Sequence, residues 1–451
     1  MTPHDPLGFG AHIPEAWGVA KVGLERHTGS GRETFIRPAR GDRAMTSDHA
    51  ESMKHGEQPR LDRRLTRREW LARTGGGVLA IRAVSTVRSL DARAFTAVPD
   101  EKGGTLIVRS RRPLDLETPV SDLDPWVTSN DRFFVRSHFG NPLVGLRPWS
   151  VEVGGLVQGP LNLGLDQLKS FESVTIPALL QCSGNGRAFF RPIIPGLAWE
   201  RGAVGHAEWT GVRLAELLSR VQPRGGAAHV HFLGADGPPS PKTPAFFRSI
   251  PLSRALDPST LLATAMNGVP LPELHGGPVR LVVPGWAGNH WIKWVRSITV
   301  SAEEAPGFYM QTGYRMPRTP SPPEVVLKPS DLVPVTSLNV KSLITRPASG
   351  GKLSRGRLEV GGVAWTGEGH VTRVEVSTDR DPTWREATLI DAARPGSWRR
   401  WRHAWDGVNA GPMVVRARAT DSTGATQPES TPWNKSGYLW NGIDQVSLSI
   451  A

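Results

Sequence analysis

Residues 181–190 read QCSGNGRAFF, and this stretch contains the single cysteine of the 451-residue chain, Cys182. The apolar pair before it, residues 179–180, predicts a strand that ends where the polar stretch begins. Glycine tolerates backbone conformations that other residues avoid, so Gly184 and Gly186 allow a sharp turn after the strand. The sequence therefore places Cys182 at a strand end, on a tight loop.

The chemistry of Cys182 depends on its neighbours. Arg187 and Arg191 follow closely in the sequence. Positive charge lowers the pKa of a thiol, and the thiolate is the form that binds a soft metal. Two alternatives remain open at this point. Cys182 could be a small buried apolar residue, or the nucleophile of a hydrolase, which would need a base held against the thiol.

The composition excludes several classes of protein. A lone cysteine excludes an intrachain disulfide, a cysteine-rich zinc site, an iron–sulfur cluster and the C-x-x-C-H haem attachment motif, so we expect no haem in this chain. No apolar run approaches the roughly 18 residues that a membrane span needs, so we expect no membrane span. The net charge of +12 indicates either a solvated basic surface or a field that attracts a small anion or an acidic redox partner. No nucleic-acid-binding motif accompanies it, so we expect no nucleic acid partner.

The N-terminal part of the chain resembles an export signal. Residues 66–71 read TRREWL, and a glycine-rich, mildly apolar stretch and the tripeptide ARA at residues 92–94 follow. Paired arginines in this setting are typical of a bacterial twin-arginine signal, which we assign to residues 61–94, and they predict a periplasmic or otherwise exported protein. Residues 1–60 are polar and lack periodicity, so we expect a disordered or incorrectly assigned leader, with Met53 as an alternative start.

Residues 95–315 predict a domain of mixed α and β structure. Residues 211–218 (GVRLAELL) place apolar side chains on one face of a short helix. Residues 279–283 (VRLVV), closed by a Pro-Gly pair, predict a buried strand. Short apolar runs between frequent glycines and prolines favour an α+β fold over a regular βαβ repeat.

The sequence changes character after residue 315. Residues 316–334 are rich in proline and predict a stiff, extended linker. Residues 371–377 (VTRVEVS) and 414–420 (VVRARAT) alternate between apolar and polar side chains, as strands with one buried face do. Residues 335–451 are therefore predicted to form a β-sandwich.

The motifs of the first domain occur in an order that resembles one family. QCSGNGR resembles the molybdenum-cysteine motif of the sulfite oxidase family. Further matching segments are FFVRSH (133–138), LAW (197–199), WTG (209–211), SIPL (249–252), MNG to HGGPVR (266–280) and VPGW to IKW (283–294). The resemblance extends over about residues 115–445. Its C-terminal part resembles the family's immunoglobulin-like dimerisation domain, which implies a homodimer.

The resemblance implies a cofactor and roles for particular residues. The cofactor would be molybdenum bound to molybdopterin, with Cys182 as the protein's ligand to the metal. The residues expected to bind the cofactor are Phe134, Val135, Arg136, Ser137, His138, Asp236, His275, Arg280, Trp291 and Lys293. The residues expected to act on the substrate are Arg136, Arg187, Trp199 and Phe246. Guanidinium groups and an indole N–H would suit a small oxyanion such as sulfite.

Three positions depart from the family pattern. Phe246 stands where the family has an active-site tyrosine, and Ser436 stands where it has an arginine, with Lys435 adjacent. Both changes remove a hydrogen-bond donor to a bound oxyanion. Trp291 stands where a phosphate-binding histidine is usual, and we expect His290 to replace that donor.

The resemblance implies oxidation of sulfite, or a related sulfur oxyanion, to sulfate. A cytochrome c or a haem c subunit would accept the electrons. One alternative is the same centre working in reverse as a periplasmic sulfoxide or oxide reductase, although family members with that role typically lack the sandwich. Another is a non-enzymatic, immunoglobulin-like interaction protein, which would explain only the C-terminal half.

Overall fold

The computed structural model describes residues 106–142, 148–380 and 383–451. The expected leader (1–60) and the expected export signal (61–94) lie outside these residues. In the part of the chain that is described, strands far outnumber helices. No helix there is long and apolar enough to cross a membrane.

The first domain is built on two five-stranded sheets. In chain order its elements are β1 (Ile107–Arg111), β2 (Leu114–Glu117), β3 (Ser150–Gly155), β4 (Leu161–Gly164), α1 (Leu165–Lys169), β5 (Ser173–Gln181), β6 (Val204–Arg213), α2 (Leu214–Val221), β7 (His229–Gly234), β8 (Phe247–Pro251), α3 (Leu252–Ala255), β9 (Leu261–Met266), β10 (Val269–Pro270), β11 (Arg280–Val282), β12 (Val295–Ser301) and α4 (Phe308–Gln311). One sheet has the strand order β10-β9-β6-β5, with β11 paired to β9, and the other has the order β4-β3-β12-β7-β8. β12 is parallel to β3 and antiparallel to β7. Mixed sheets with short helices confirm the α+β class.

The predicted helix at residues 211–218 is present as α2, but it begins only at Leu214. The residues before it end β6, where Val212 pairs with Leu262 of β9. That pairing satisfies backbone groups which a longer helix would have to satisfy itself. The apolar face of α2 is buried, as the pattern predicts. The buried strand expected at residues 279–283 is also present, as β11.

The connection at residues 316–334 is not an extended spacer. β13 (Arg315–Pro317) and β14 (Leu332–Pro334) pair in antiparallel fashion, with Arg315 opposite Pro334. The segment between them therefore folds back on itself. The expectation of an extended linker is wrong, because proline fixes its own backbone angle but does not prevent the two ends of a segment from pairing.

The second domain is a sandwich of two sheets, as the alternating pattern predicts. Its strands are β15 (Lys341–Arg346), β16 (Lys352–Leu353), β17 (Gly356–Trp365), β18 (Val371–Thr378), β19 (Arg385–Glu386), β20 (Thr388–Leu389), β21 (Arg399–Val408), β22 (Gly411–Asp421) and β23 (Asp444–Ile450). One sheet has the order β15-β17-β21-β20, and the other has the order β16-β23-β22-β18-β19. Alternate side chains of β22 and β23 are buried in the sandwich core.

The two domains share an apolar cluster that reaches the cysteine loop. Its buried members are Leu123, Leu179, Val204, Ala287, Val335, Leu338, Leu343, Val363, Trp365, Trp398 and Leu439. Within it, the indole N–H of Trp365 on β17 donates a hydrogen bond of 2.9 Å to Oε1 of Gln181, the last residue of β5. The sandwich therefore supports the residue that directly precedes Cys182.

We expect Trp365→Phe to destabilise the protein more than Trp401→Phe. Trp401 is as buried as Trp365, but its indole N–H has no hydrogen-bond partner among the described residues. Both substitutions leave a similar cavity. Only Trp365→Phe leaves the buried Gln181 oxygen without that donor, so the free energies of unfolding should differ by about 1–3 kcal/mol. Urea denaturation of both variants measures this difference, and equal losses would contradict the prediction.

Candidate functional site

The loop after β5 has a fixed backbone path. The amide of Cys182 donates to the carbonyl of Ala203 at 2.9 Å, and the amide of Asn185 donates to the carbonyl of Cys182 at 2.9 Å. Gly186 has a φ of +90°, and a Cβ there would lie 2.7 Å from Cβ of Trp440. Only glycine fits that conformation and that space. The side chain of Cys182 is therefore held in one place at the strand end.

The electrostatic setting of Cys182 differs in part from the sequence expectation. Burial raises the pKa of its thiol, whereas Arg136, the amide of Gly184 and Arg187 lower it. The net direction is upward, because desolvation of the thiolate outweighs the positive neighbours. The expectation that nearby arginines lower the thiol pKa is thus right for Arg187 and wrong about the net result.

Cys182 lines a cavity with about 690 Å³ of empty space, part of which is open to solvent. The structure brings most of the predicted site residues to its wall: Phe134, Arg136, Ser137, His138, Cys182, Asp236, Phe246, His275, Arg280, Trp291 and Lys293. Segments far apart in sequence therefore meet around one space.

Three predicted site residues do not line this cavity. Val135 is buried and exchanges backbone hydrogen bonds with Leu116. Trp199 is buried, and its ring packs edge-on against Phe134 with centroids 6.5 Å apart. Arg187 donates through Nε to the carbonyl of Ser436 at 3.2 Å, but its charge still affects the thiol of Cys182.

One part of the cavity wall carries positive charge, and among the described residues no carboxylate pairs with it directly. Arg280 is only 3% exposed, and its guanidinium donates to the carbonyls of His275 (2.8 Å) and Trp291 (3.2 Å). Its Nε has no hydrogen-bond partner among the described residues. Burial lowers the pKa of Arg280 to about 9. A buried cation without a counter-ion is unfavourable, so this wall is suited to a bound anion.

Lys293 and His275 lie beside Arg280. The ammonium of Lys293 donates to Oγ of Ser137 at 2.7 Å, and burial, followed by the charge of Arg280, lowers its pKa. His275 bonds through Nε2 to the carbonyl of Asn130 at 2.8 Å, and burial lowers its pKa to about 4. Because the imidazole is neutral and its Nε2 faces a carbonyl, Nε2 carries the proton and donates it to that oxygen. His275 therefore contributes a neutral ring to the cavity wall and no positive charge.

Arg136 defines another part of the cavity, near Cys182. Its Nη1 donates to Oδ1 of the buried Asp115 at 3.1 Å, and the same carboxylate accepts from the amide of Ser137 at 3.2 Å. Burial raises the pKa of Asp115, and Arg136 lowers it. Asp115 therefore fixes the direction of the guanidinium. Sequence reasoning missed Asp115, because it lies far from the recognised motifs and has no signal of its own.

The structure corrects the expectation for residues 290 and 291. The indole N–H of Trp291 donates to the carbonyl of Trp286 at 2.9 Å, so Trp291 contributes its ring to the cavity wall and not a donor. His290 is fully buried, and its Nε2 lies 3.1 Å from the carbonyl of Val335. His290 does not line the cavity, so the prediction that it replaces a donor there is wrong. The turn that ends at Trp291 directs the two side chains to different surroundings.

The substituted positions 246 and 436 also take definite places. The Phe246 ring stacks on the imidazole of His138, with centroids 3.9 Å apart. The carbonyl of Ser436 accepts from Arg187, and Lys435 beside it is exposed. Next to Phe246, the cavity wall includes Tyr314, which the motifs did not indicate. Its only signal in the sequence is the scarcity of tyrosine, since the chain has three.

Two family models match this chain. The model of the oxidoreductase molybdopterin binding domain matches residues 138–309. The model of the Mo-co oxidoreductase dimerisation domain matches residues 333–450. The two matches fall on the mixed domain and on the sandwich, respectively.

Known proteins resemble the chain over most of its length. Mitochondrial sulfite oxidase of Mus musculus is 34% identical over 362 residues, which cover 76% of this chain and 66% of that protein, so this chain spans about two thirds of its length. Sulfite oxidase of Arabidopsis thaliana is 34% identical over 376 residues, which cover 77% of this chain and 94% of that protein. Among solved structures, the sulfane dehydrogenase SoxCD from Paracoccus pantotrophus is 28% identical, with a TM-score of 0.65, and covers 74% of this chain and 84% of that chain.

The residues of the cavity fit a molybdopterin. That cofactor carries a phosphate, and the buried guanidinium of Arg280 with its unpartnered Nε offers a charge-assisted hydrogen bond to such a group. The carboxylate of Asp236, on the wall of the same cavity, offers an acceptor to polar N–H groups. Cys182 offers one sulfur.

We expect Arg280→Met to lower the cofactor content of the purified protein. Losing a hydrogen bond between charged groups should weaken phosphate binding about ten- to a hundredfold. In the cofactor-free protein the variant removes a buried cation that has no counter-ion, but it also removes the donors to the carbonyls of His275 and Trp291, so thermal denaturation serves as the control for folding. Molybdenum analysis and pterin fluorescence measure the cofactor content.

Arg254→Met is the matched control for this experiment. The guanidinium of Arg254 lies over the ring of Trp286, as that of Arg280 lies over the rings of Trp209 and Trp291. Unlike Arg280, Arg254 pairs with Asp257 at 3.1 Å and does not line the cavity. This variant should keep its cofactor. Equal cofactor loss in both variants, or full occupancy in Arg280→Met, would contradict the assignment.

Proposed function

The chain belongs to the sulfite oxidase family of molybdenum-cofactor oxidoreductases, and on that premise we propose that it oxidises sulfite to sulfate. The observation that carries this proposal is that Cys182, Arg136 and the anion-binding wall around Arg280 border one cavity. When bound, the molybdenum cofactor supplies the two-electron redox chemistry and the oxygen transfer. The protein's part is to hold the cofactor, admit an anion and orient it.

Arg136 and Cys182 would divide these tasks. The thiol of Cys182 would bind the metal as a thiolate, which metal coordination favours over the protonated form. The guanidinium of Arg136, held by Asp115, would attract and orient the sulfite oxyanion through charge-assisted hydrogen bonds. Arg187, whose Nε donates to the carbonyl of Ser436, would contribute a second positive charge that acts on Cys182.

The overall reaction is sulfite plus water giving sulfate, two protons and two electrons. We propose that the electrons leave to a separate one-electron acceptor, either a cytochrome c or a haem c subunit. The match to a dimerisation domain at residues 333–450 supports a homodimer.

A second candidate substrate is a sulfane sulfur compound. Phe246 and Ser436 replace two donors of the family's oxyanion pocket, and the structural relative from Paracoccus pantotrophus is a sulfane dehydrogenase. Turnover with thiosulfate in place of sulfite discriminates between these substrates. Reduction of a sulfoxide without any oxidation of sulfite would instead favour the reductase alternative.

We expect Cys182→Ser to abolish turnover with sulfite and cytochrome c while the protein remains folded. A hydroxyl is a poor substitute for a soft thiolate at such a metal. The serine side chain has nearly the same shape, so the backbone bonds of the loop should persist and the pterin should stay bound. Stopped-flow reduction of the holoenzyme by sulfite, together with pterin analysis, tests this expectation. Wild-type turnover in a molybdenum-replete Cys182→Ser protein would refute the assignment.

We also propose export by the twin-arginine route, on the sequence of residues 61–94 alone. Arg67→Lys combined with Arg68→Lys should leave active enzyme in the cytoplasm. The neighbouring pair offers a matched control, since Arg63→Lys with Arg64→Lys also replaces two adjacent arginines by lysines, but outside the TRREWL motif. Fractionation followed by a sulfite oxidation assay locates the enzyme. Periplasmic activity in both variants would argue against this route.

A further inference from the structure

Arg248 is a buried arginine to which the proposed function gives no role. It lies on β8 and is only 1% exposed. Its Nη1 donates to the carbonyl of Tyr309, and its Nη2 lies 3.1 Å from Nε2 of His290. Its Nε has no hydrogen-bond partner among the described residues. Burial lowers the pKa of Arg248 to about 10, which still leaves the guanidinium charged at neutral pH.

This charge has no carboxylate of its own in the described part of the chain. The carboxylate of Glu304 acts on it from a distance, but Glu304 is paired with Arg315 at 2.6 Å. A buried cation without a counter-ion is unfavourable. Arg248 is therefore a place where the protein tolerates an unfavourable charge, as it does at Arg280.

The guanidinium of Arg248 lies one side chain away from the cavity. Its Cζ is 5.4 Å from the ring centroid of Tyr314, which lines the cavity. The backbone fixes this ring. The φ of Tyr314 is +54°, in the left-handed region, where a bulky side chain is uncommon and costs energy. Its carbonyl accepts a hydrogen bond of 2.8 Å from the amide of Val335, directly after β14.

The positive charge of Arg248 reaches the wall of the cavity. Burial, Arg136, Lys293 and Arg248 all lower the pKa of His138, which lines the cavity. Charges interact more strongly in a region of low dielectric constant than in water. The same charge that disfavours an imidazolium at His138 would attract an anion bound beside it.

We infer that Arg248 is a specificity-determining residue, whose positive charge raises the affinity of the cavity for an oxyanion. This inference deepens the proposed function, and it rests on that proposal for the identity of the oxyanion. Arg248 would act through space from behind the ring of Tyr314, whereas Arg136 lines the cavity itself.

The place of Arg248 also suits a departure in the motifs. Ser436 stands where the family pattern has an arginine. Two residues later, the ring of Tyr438 stacks on that of Tyr314, with 5.3 Å between centroids. The turn that contains Ser436 and the guanidinium of Arg248 therefore approach the same ring. A cation on β8 can supply the positive charge that this turn lacks.

The experiment compares holoenzymes in which residue 248 loses or keeps its charge. Arg248→Gln and Arg248→Met both remove the charge. The first keeps a hydrogen-bond donor and the second is apolar and suits burial, so a folding defect in one leaves the other. Arg248→Lys keeps the charge. Calorimetry on molybdenum-replete protein gives the dissociation constant of sulfate, a binding readout that needs no turnover, and steady-state assays give KM and kcat for sulfite.

Both neutral variants should raise the sulfate dissociation constant and the KM by about tenfold, because one buried charge no longer acts on the anion. The kcat should change much less, because the charge does not touch the reacting atoms. Arg248→Lys should bind sulfate nearly as the wild type does. Ser436→Arg combined with Arg248→Gln should restore most of the affinity, whereas a purely structural role of Arg248 predicts no such recovery.

Arg315→Met combined with Glu304→Gln is the matched control. Arg315 also donates to a backbone carbonyl, that of Met310 at 2.9 Å, but Glu304 neutralises its charge. Removing both partners leaves the net charge of this region unchanged, so this variant should bind sulfate as the wild type does.

An unchanged sulfate dissociation constant in the neutral variants of Arg248 would overturn the inference. An equal loss of affinity in the control would do so too, as would a loss that neither Arg248→Lys avoids nor Ser436→Arg restores. If the neutral variants weaken sulfate binding but wild-type enzyme does not oxidise sulfite, the inference stands and the proposed function fails.

Discussion

The arrangement of the site depends on positive charge that is held away from water. Arg280 is buried and pairs with no carboxylate in the described part of the chain, and Lys293 and Arg136 line the same cavity. Desolvation lowers the pKa values of Arg280 and Lys293, and the positive charge of Arg280 lowers that of Lys293 further. Burial and the neighbouring cations also keep His138 and His275 neutral, because an additional positive charge there would be more unfavourable still. A bound anionic cofactor would relieve this strain, so the same charges that destabilise the cavity prepare it for ligand.

The sandwich contributes to the site although it lies after the motifs in sequence. Trp365 of β17 bonds to Gln181, and Leu439 donates its amide to the carbonyl of Ser183 at 2.8 Å. Both contacts hold the loop that carries Cys182. A domain that the sequence associates with dimerisation is therefore also a support for the cysteine loop.

Aromatic side chains surround His138 on the cavity wall. Phe246 offers no hydroxyl, but it stacks on His138 and so fills the space beside the imidazole. Tyr314 enters from a different segment and is hydrogen-bonded to that histidine. Because the strained backbone at Tyr314 is fixed by Val335, the turn before the second domain positions a side chain in the first.

The sequence by itself determined the fold class and the sandwich, because the placing of glycines and the alternation of apolar and polar residues are local properties of the chain. The resemblance of its motifs to one family indicated most of the residues that line the cavity. It placed Cys182, Arg136 and Arg280 in one site, and the structure brings them to one cavity. Only the tertiary structure decided the net shift of the Cys182 pKa and the position of His290 away from the cavity. It also brought Asp115 against Arg136 and placed Tyr314 on the cavity wall. Burial and contact between distant segments set these features, and neither is encoded in the spacing of residues along the chain.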